Sequence, residues 1–261
     1  MSVIFSAIAS HSPLLIPEVG KENTNQLKQT LTAYDKLRVA LESVKPETII
    51  ILSPHGLIQP EAFSLNISSE FEGKFEEFGD LTNKFKLSGD VELAARLKEN
   101  LESKTQLQII NEPVLDSGSA VPLFLLTKNL PNVKIIPIYN SQQDLKSHYE
   151  FGQLLRHELV ISQRKIAIIV SADLSCCLSR QALAGYSLQA KKFDKKVIKA
   201  IENDDINILK IDPKLIKDVN ETGLRPIMIL LGLLSDMKKT AKLLSYEHPF
   251  GVGCLVVNYS F

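Results

Sequence analysis

The sequence predicts an α/β protein: a sandwich around a largely parallel central sheet with helices on both faces, folded as one domain over residues 1–261. Apolar runs of strand length alternate along the chain with helical patterns. Several of these runs are continuous and rich in β-branched residues, which is typical of strands covered on both faces. No internal repeat, low-complexity tract or Gly/Ser linker marks a domain boundary.

The strands are predicted where short, continuous apolar runs occur. In chain order these runs are residues 3–9, 48–52, 133–138 and 165–170, followed by a closing pair at 242–246 and 254–259. The polar stretch 68–90 is interrupted by Phe71, Phe75 and Phe78. We predict that it is an excursion over the surface or over a site, and not a linker between domains.

The helices are predicted from apolar residues spaced three or four apart. The clearest stripe is formed by Leu27, Leu31, Tyr34, Leu37, Leu41 and Val44. Further helical patterns cover residues 91–101, 121–126, 149–160, 191–201, 213–219 and 223–234. Each of these helices is predicted to pack its apolar face on the sheet.

Composition excludes several classes of partner. Lysine plus arginine equals aspartate plus glutamate, 30 against 30, which predicts neither nucleic acid nor membrane as a partner. The first residues contain no basic region and no long apolar stretch, so no signal peptide and no membrane-spanning helix is predicted. The three cysteines lack metal-finger spacing, which favours a reducing compartment, by default the cytoplasm.

Polar residues follow three of the predicted buried strands. The first strand is followed by Ser10 and His11, the second by Ser53 and His55, and the fourth leads to Asp173. Ligands of open α/β sheets bind outside the carboxyl ends of strands, so these residues are predicted to share one crevice. Imidazole binds iron, zinc and copper, but single histidines are often structural, and both interpretations stay open here.

Six segments resemble, in the same order, motifs of the LigB-type superfamily of class III extradiol ring-cleavage dioxygenases, which includes the Memo proteins. The segments are SHSPLLIPEVG at 10–20, SPHG at 53–56, LDSGSAVPL at 115–123, SADLS at 171–175, NETGLR at 220–225 and SYEHPFGVG at 245–253. Each segment is short, and none is specific alone. Their shared order, from residue 10 to residue 253, is specific, and it identifies residues 1–261 as a single LigB-type domain.

The resemblance implies a non-haem Fe(II) oxygenase that opens a catecholic or aminophenolic ring with O2. It implies that His11, His55 and Glu221 are the iron ligands, a set of two histidines and one carboxylate that leaves positions open. Zinc and copper are the alternative metals. An aromatic substrate and O2 are the implied partners. Proteins of the superfamily commonly associate, which implies a homo- or hetero-oligomer.

The chain departs from the family pattern where the chemistry would occur. The family's base histidine corresponds to Cys176, and a second histidine, which binds substrate and oxygen, corresponds to Ser117. Asp173 is predicted to brace the catalytic loop, as Asp116 braces its own loop. Losing one positioned base typically costs roughly 100- to 10,000-fold in rate. Either an enzyme of reduced activity or a Memo-like protein that binds a metal or a small molecule is therefore expected.

Several other residues keep two interpretations. Cys176 is either an inert apolar residue or a soft ligand in a His/His/Cys site suited to zinc or copper. His248 replaces a family glycine and is either an exposed turn residue or a second imidazole at the crevice. His148 and His157 lie among charged residues of a predicted helix and are expected to be solvated.

Overall fold

The computed structural model describes residues 2–261 and contains one sheet of ten strands. The strands are β1 (Val3–Ala9), β2 (Thr48–Ser53), β3 (Phe63–Asn66), β4 (Glu70–Phe75), β5 (Asp80–Gly89), β6 (Leu107–Ile110), β7 (Lys134–Tyr139), β8 (Ile166–Ser171), β9 (Thr240–Glu247) and β10 (Cys254–Ser260). The helices are α1 (Pro17–Gly20), α2 (Lys28–Val44), α3 (Val91–Leu101), α4 (Ser117–Leu126), α5 (Leu145–Val160), α6 (Ala190–Asn203), α7 (Pro213–Asp218) and α8 (Leu224–Leu233).

The strand order is β4-β5-β7-β2-β8-β1-β10-β9, and β3 pairs with both β7 and β6. The four central strands β7, β2, β8 and β1 run parallel. The terminal strands β10 and β9 extend this sheet antiparallel beyond β1. The sequence correctly predicted the parallel centre, because its four strands are the continuous apolar runs.

Two apolar cores cover the two faces of the sheet. Along β2, Ile49 and Ile51 point into the core formed with α2 and α4, whereas Ile50 and Leu52 point into the core formed with α3, α5, α6 and α8. This alternation follows from the two-residue period of a strand. The predicted sandwich with helices on both faces is confirmed. Within residues 2–261, no helix is long and apolar enough to cross a membrane.

The polar segment 68–90 is an excursion of the chain, as predicted, but it forms an ordered hairpin that its sequence pattern did not indicate. Strands β4 and β5 pair antiparallel. Phe71 and Phe75 alternate with polar residues, and both are fully buried against α4 and its neighbours. The hairpin end carries Lys74, Glu76 and Glu77 to the sheet edge where the candidate site lies.

Candidate functional site

Three neighbouring strands bring the predicted polar residues together. Strand β8 lies between β2 and β1, and the register aligns Ser171 of β8 with Ala9 of β1. The residues that follow these strands therefore leave the sheet at the same level. His11 follows β1, His55 follows β2 and Asp173 follows β8, so the predicted crevice at the carboxyl ends exists.

His11 and His55 are in direct contact. Their Nε2 atoms are 2.9 Å apart, and the ring planes meet at 87° with centroids 4.6 Å apart. His11 is buried, and burial lowers its pKa to about 4. His55 is the more exposed of the two. Its pKa is also lowered, mainly because part of the ring is shielded from water and secondly because His11 lies beside it. Both imidazoles are therefore neutral near pH 7.

His11 is held by partners on β8 and on the segment after it. Its Nδ1 lies 2.9 Å from the Ser171 hydroxyl, and its Nε2 lies 3.5 Å from Asp173 Oδ2. The Ser10 hydroxyl donates to the other oxygen of Asp173. Burial raises the pKa of Asp173 to about 7. In the tautomer with the proton on His11 Nδ1, which then donates to the Ser171 hydroxyl, the Nε2 lone pair is available to bind a metal ion.

The end of β2 is fixed against the start of α4. The Ser53 hydroxyl donates to Asp116 Oδ1 at 2.5 Å, and Asp116 also caps α4 by accepting the Ser119 N–H at 3.0 Å. A Cβ added at Gly118 would lie 2.4 Å from Ser53 Oγ and 3.1 Å from the His55 ring. The absence of a side chain at Gly118 therefore lets the start of α4 pack directly against Ser53 and the His55 ring. Asp116 has the bracing role predicted for it.

The histidine pair fits a first-row metal ion. If two imidazole nitrogens bind one metal ion at about 2.05 Å each, with a right angle at the metal, they are about 2.9 Å apart. This is the separation observed between the two Nε2 atoms. The same separation suits one proton shared between the two Nε2 atoms. Across residues 2–261, no group of three or more His, Cys, Asp or Glu side chains is arranged to hold a metal. Of the three predicted iron ligands, His11 and His55 are the two that lie in direct contact.

Glu221 lies at the start of α8 and interacts with that helix. Its Oε2 accepts the Leu224 N–H at 2.5 Å. Burial raises the pKa of Glu221, and the nearby Arg225 opposes this shift. Among the hydrogen bonds of residues 2–261, none joins Glu221 to His11 or His55. The role of Glu221 as a metal ligand stays a prediction.

A cleft of about 490 Å³ opens beside His55. One part of its wall is apolar and is formed by Leu57, Val114, Leu115 and Tyr139. The charged part is formed by Lys74, Glu76, Glu77, Glu112 and Asp116. Its size lies within the range usual for small-molecule sites, and its position next to His55 makes it the candidate substrate pocket.

Comparison with known proteins assigns the family. The family described as "Catalytic LigB subunit of aromatic ring-opening dioxygenase" matches residues 6–257. The chain belongs to the LigB family. The match spans both histidine loops, the hairpin and α8.

Two similar proteins place this LigB chain among uncharacterised relatives. Protein CA_C1420 of Clostridium acetobutylicum is 28% identical over 255 residues, and the match covers 93% of this chain. The chain spans about half the length of that relative, 54%. The crystal structure of the uncharacterised protein JW3007 from Escherichia coli K12 has a TM-score of 0.72 at 16% identity, covering 98% of this chain and 99% of that one. The latter similarity shows a shared fold.

The resemblance predicts that Cys176 stands at the position of the family's base histidine. It is half-buried, and its Sγ lies 3.9 Å from the Leu174 carbonyl oxygen. The pKa of the thiol is raised to about 12, mainly by burial and secondly by the nearby charge of Asp173. The thiol therefore keeps its proton at neutral pH. Ser117 is the first residue of α4 and is also half-buried. The catalytic roles of both residues stay predictions.

His248 is half-buried in the turn between β9 and β10. Its ring lies 5.8 Å from the ring of Tyr246, at an angle of 57°. His248 therefore lies in a turn, as the first interpretation held, but its side chain is half-buried and not exposed. A role at the crevice stays a prediction.

Sequence reasoning missed Asp194, a fully buried carboxylate on α6. It accepts the Ser175 N–H at 3.0 Å, the Ser175 hydroxyl, and the Tyr246 hydroxyl at 2.6 Å. Asp194 thereby fixes the segment that carries Asp173 and Cys176. Asp194 was missed because four lysines flank it in the sequence and the segment was interpreted as a solvated face. Its spacing from Ala190 and Val197 nevertheless places it on the buried face of the helix.

The expectation that His148 is solvated is wrong, whereas His157 is exposed as expected. The His148 ring is fully buried on α5 and lies edge-on to Phe63, with centroids 5.0 Å apart. Its Nδ1 is 2.7 Å from the Asp144 carbonyl oxygen, and its Nε2 accepts the Ser141 N–H at 3.3 Å. Both nitrogens are satisfied, which identifies a structural histidine.

His148 makes stability depend on pH. Burial lowers its pKa to about 4, so between pH 6.5 and pH 4 the unfolded chain binds a proton that the folded protein does not. The free energy of unfolding is therefore expected to fall as pH decreases through this window. Urea unfolding at pH 7.5 and pH 4.5 measures the loss. His148→Gln should reduce it by ~2.5 kcal/mol.

The matched control for this prediction is His157→Gln, because His157 lies on the same helix but is exposed. This variant should keep the full pH dependence of the unmodified protein. Equal pH dependence in the His148 variant and in the control would contradict the assignment of His148 as a buried neutral histidine.

Proposed function

We propose that this chain is a ring-opening dioxygenase that acts with O2 on a catecholic or aminophenolic aromatic and uses Fe(II) held by His11 and His55. The observation that carries the proposal is the pair of neutral imidazoles, 2.9 Å apart at the end of two parallel strands. Membership of the LigB family supports the reaction class. Glu221 is proposed as the third ligand, and zinc or copper as the alternative metals.

The chemistry that Fe(II) supplies in such a site is the reaction of O2 with an electron-rich ring. The chain's own residues bind and orient the substrate. Leu57, Leu115 and Tyr139 offer apolar surface for an aromatic ring beside His55. Ser171 and Asp173 fix the orientation of His11, and Asp116 fixes the loop of His55 through Ser53. This rigid support is what a precise metal site requires.

A second candidate function is a Memo-like protein that keeps the metal or a small molecule but turns over weakly. One observation favours it specifically. The Cys176 thiol, at the position of the family's base histidine, has a pKa raised to about 12 and cannot accept a proton near pH 7. Ser117, at the position of the second histidine, offers no titratable nitrogen.

The location and the partners belong to the same proposal. We place the protein in the cytoplasm, because its cysteines are free and lack the pattern of a secreted scaffold. Its partners are a small aromatic substrate and O2, without nucleic acid or membrane. Association into homo- or hetero-oligomers is proposed by analogy with other proteins of the family.

The deciding experiment combines metal content with oxygen uptake. Protein purified without oxygen should contain about one metal ion per chain, and it should consume O2 only when a catechol or aminophenol is added. Metal binding and anaerobic catechol binding without oxygen uptake would favour the second candidate. Absence of both metal and aromatic ligand would contradict both candidates.

A further inference from the structure

The cleft beside His55 has an excess of negative charge. Four carboxylates and one ammonium group line it. The ammonium of Lys74 lies 3.2 Å from Glu76 Oε2, and Lys84 Nζ lies 2.8 Å from Glu76 Oε1. Glu76 is thus paired with two lysines, and the four carboxylates set against Lys74 and Lys84 leave a net charge of −2 (4 negative against 2 positive). The charges of Glu77, Glu112 and Asp116 remain, since none of the salt bridges found within residues 2–261 involves them.

Glu77 and Glu112, the exposed acids of the cleft that form no salt bridge with a described residue, sit on backbone that is well anchored. Asn66 donates through Nδ2 to the Glu112 carbonyl oxygen at 2.9 Å and accepts the Glu112 N–H at 3.2 Å. Glu77 lies in the short turn between β4 and β5. Strand β4 is joined to the loop after Glu112, because the Glu72 carbonyl oxygen accepts the Leu115 N–H at 2.9 Å. Hairpin and loop therefore form one wall.

The same cleft exposes apolar surface. Leu57 is 48% exposed and Val114 is 43% exposed, and both line the cleft together with the buried ring of Tyr139. An aromatic ring held against these side chains would be covered by apolar surface on the side facing the protein. A substituent on that ring would extend among Glu77 and Glu112.

We infer that the substrate of this site is an aromatic that carries a cationic amine side chain, and that the cleft discriminates against carboxylated aromatics. The inference rests on the proposed function, because it takes the cleft beside the histidines as the place where the ring binds. A cation is attracted by the uncompensated carboxylates, and an anion is repelled by them. The expected difference in affinity between the two is about tenfold or more at low salt.

The experiment compares three catechols that differ in the charge of one side chain. The probes are 3,4-dihydroxyphenethylamine, 4-ethylcatechol and 3,4-dihydroxyphenylpropionate. Their binding to the protein, purified with its metal and kept free of O2, is measured by calorimetry at pH 7. The cation should bind most tightly and the anion least, and the difference should shrink as salt is added.

The double variant Glu77→Gln/Glu112→Gln should bring the affinities for cation and anion to within about twofold of each other. The matched control is Glu99→Gln/Glu102→Gln, which removes the same charge from exposed positions away from the cleft and should leave the difference intact. The inference would be overturned if the unmodified protein bound the anionic catechol more tightly than the cationic one. It would also be overturned if the cleft variant and the control variant showed the same preference for the cation over the anion. Charge-ordered binding, together with no oxygen uptake when the same catechols are added in the presence of O2, would overturn the dioxygenase proposal alone. Failure of all three catechols to bind would overturn both.

Discussion

Replacing His11 or His55 with alanine is expected to reduce bound metal from about one ion per chain to less than a tenth. The two Nε2 atoms are 2.9 Å apart, and both imidazoles are neutral near pH 7. The two ligands that would remain, one imidazole and the proposed Glu221, do not hold Fe(II) against water. The measurement is elemental analysis of each variant after anaerobic loading and gel filtration.

The matched control is His157→Ala, which removes an exposed imidazole on α5. This variant should bind as much metal as the unmodified protein. Thermal unfolding of all variants separates loss of metal from loss of fold, because alanine at His11 leaves a cavity at a buried position. Equal metal content in the histidine variants and the control would remove the basis for a metal site here.

The proposed contribution of Glu221 is tested by the same assay. Its Oε2 accepts the Leu224 N–H. If the carboxylate leaves this cap to bind metal, Glu221→Gln should lower metal affinity. If it serves only α8, the variant should change stability and leave metal content as it was.

The sequence predicted the sheet centre because its signal is local. The run at residues 48–52 consists of apolar and β-branched residues, which is typical of a strand buried on both faces. The hairpin of β4 and β5 was missed because its sequence is mainly polar. In β4 the charged residues Glu70, Glu72 and Lys74 alternate with a face that contains only two large apolar side chains, Phe71 and Phe75. Recognising it requires knowing that α4 covers one face, and that information is tertiary.

The same distinction separates the site residues. His11 and His55 could be placed together because each follows a predicted parallel strand, and parallel strands end at one edge. His148 was misjudged because Lys146 stands near it, although its spacing from Leu145, Phe151 and Leu155 puts it on the buried face of α5. The partners of its two nitrogens are backbone groups, which no side-chain pattern reveals.

Replacing Cys176 with histidine is expected to raise ring-cleavage activity in iron-loaded protein by about 100-fold or more, the usual contribution of one positioned base. The thiol cannot serve this role near pH 7, because burial and the charge of Asp173 raise its pKa to about 12. An imidazole has an ordinary pKa of about 6.5 and accepts a proton at neutral pH. Oxygen consumption and the yellow absorbance of the ring-opened product measure the gain.

The matched control is Cys176→Ala, which removes the thiol without adding a base and should show no gain. Adding Ser117→His to the Cys176→His variant should increase the rate further if the start of α4 once bound substrate or oxygen. Absence of any gain, with iron shown to be bound, would mean that the crevice has diverged beyond its base, and the binding function would then be preferred. Activity of the unmodified protein that survives Cys176→Ala would instead direct attention to His248, which lies half-buried beside Tyr246, for the proton acceptor.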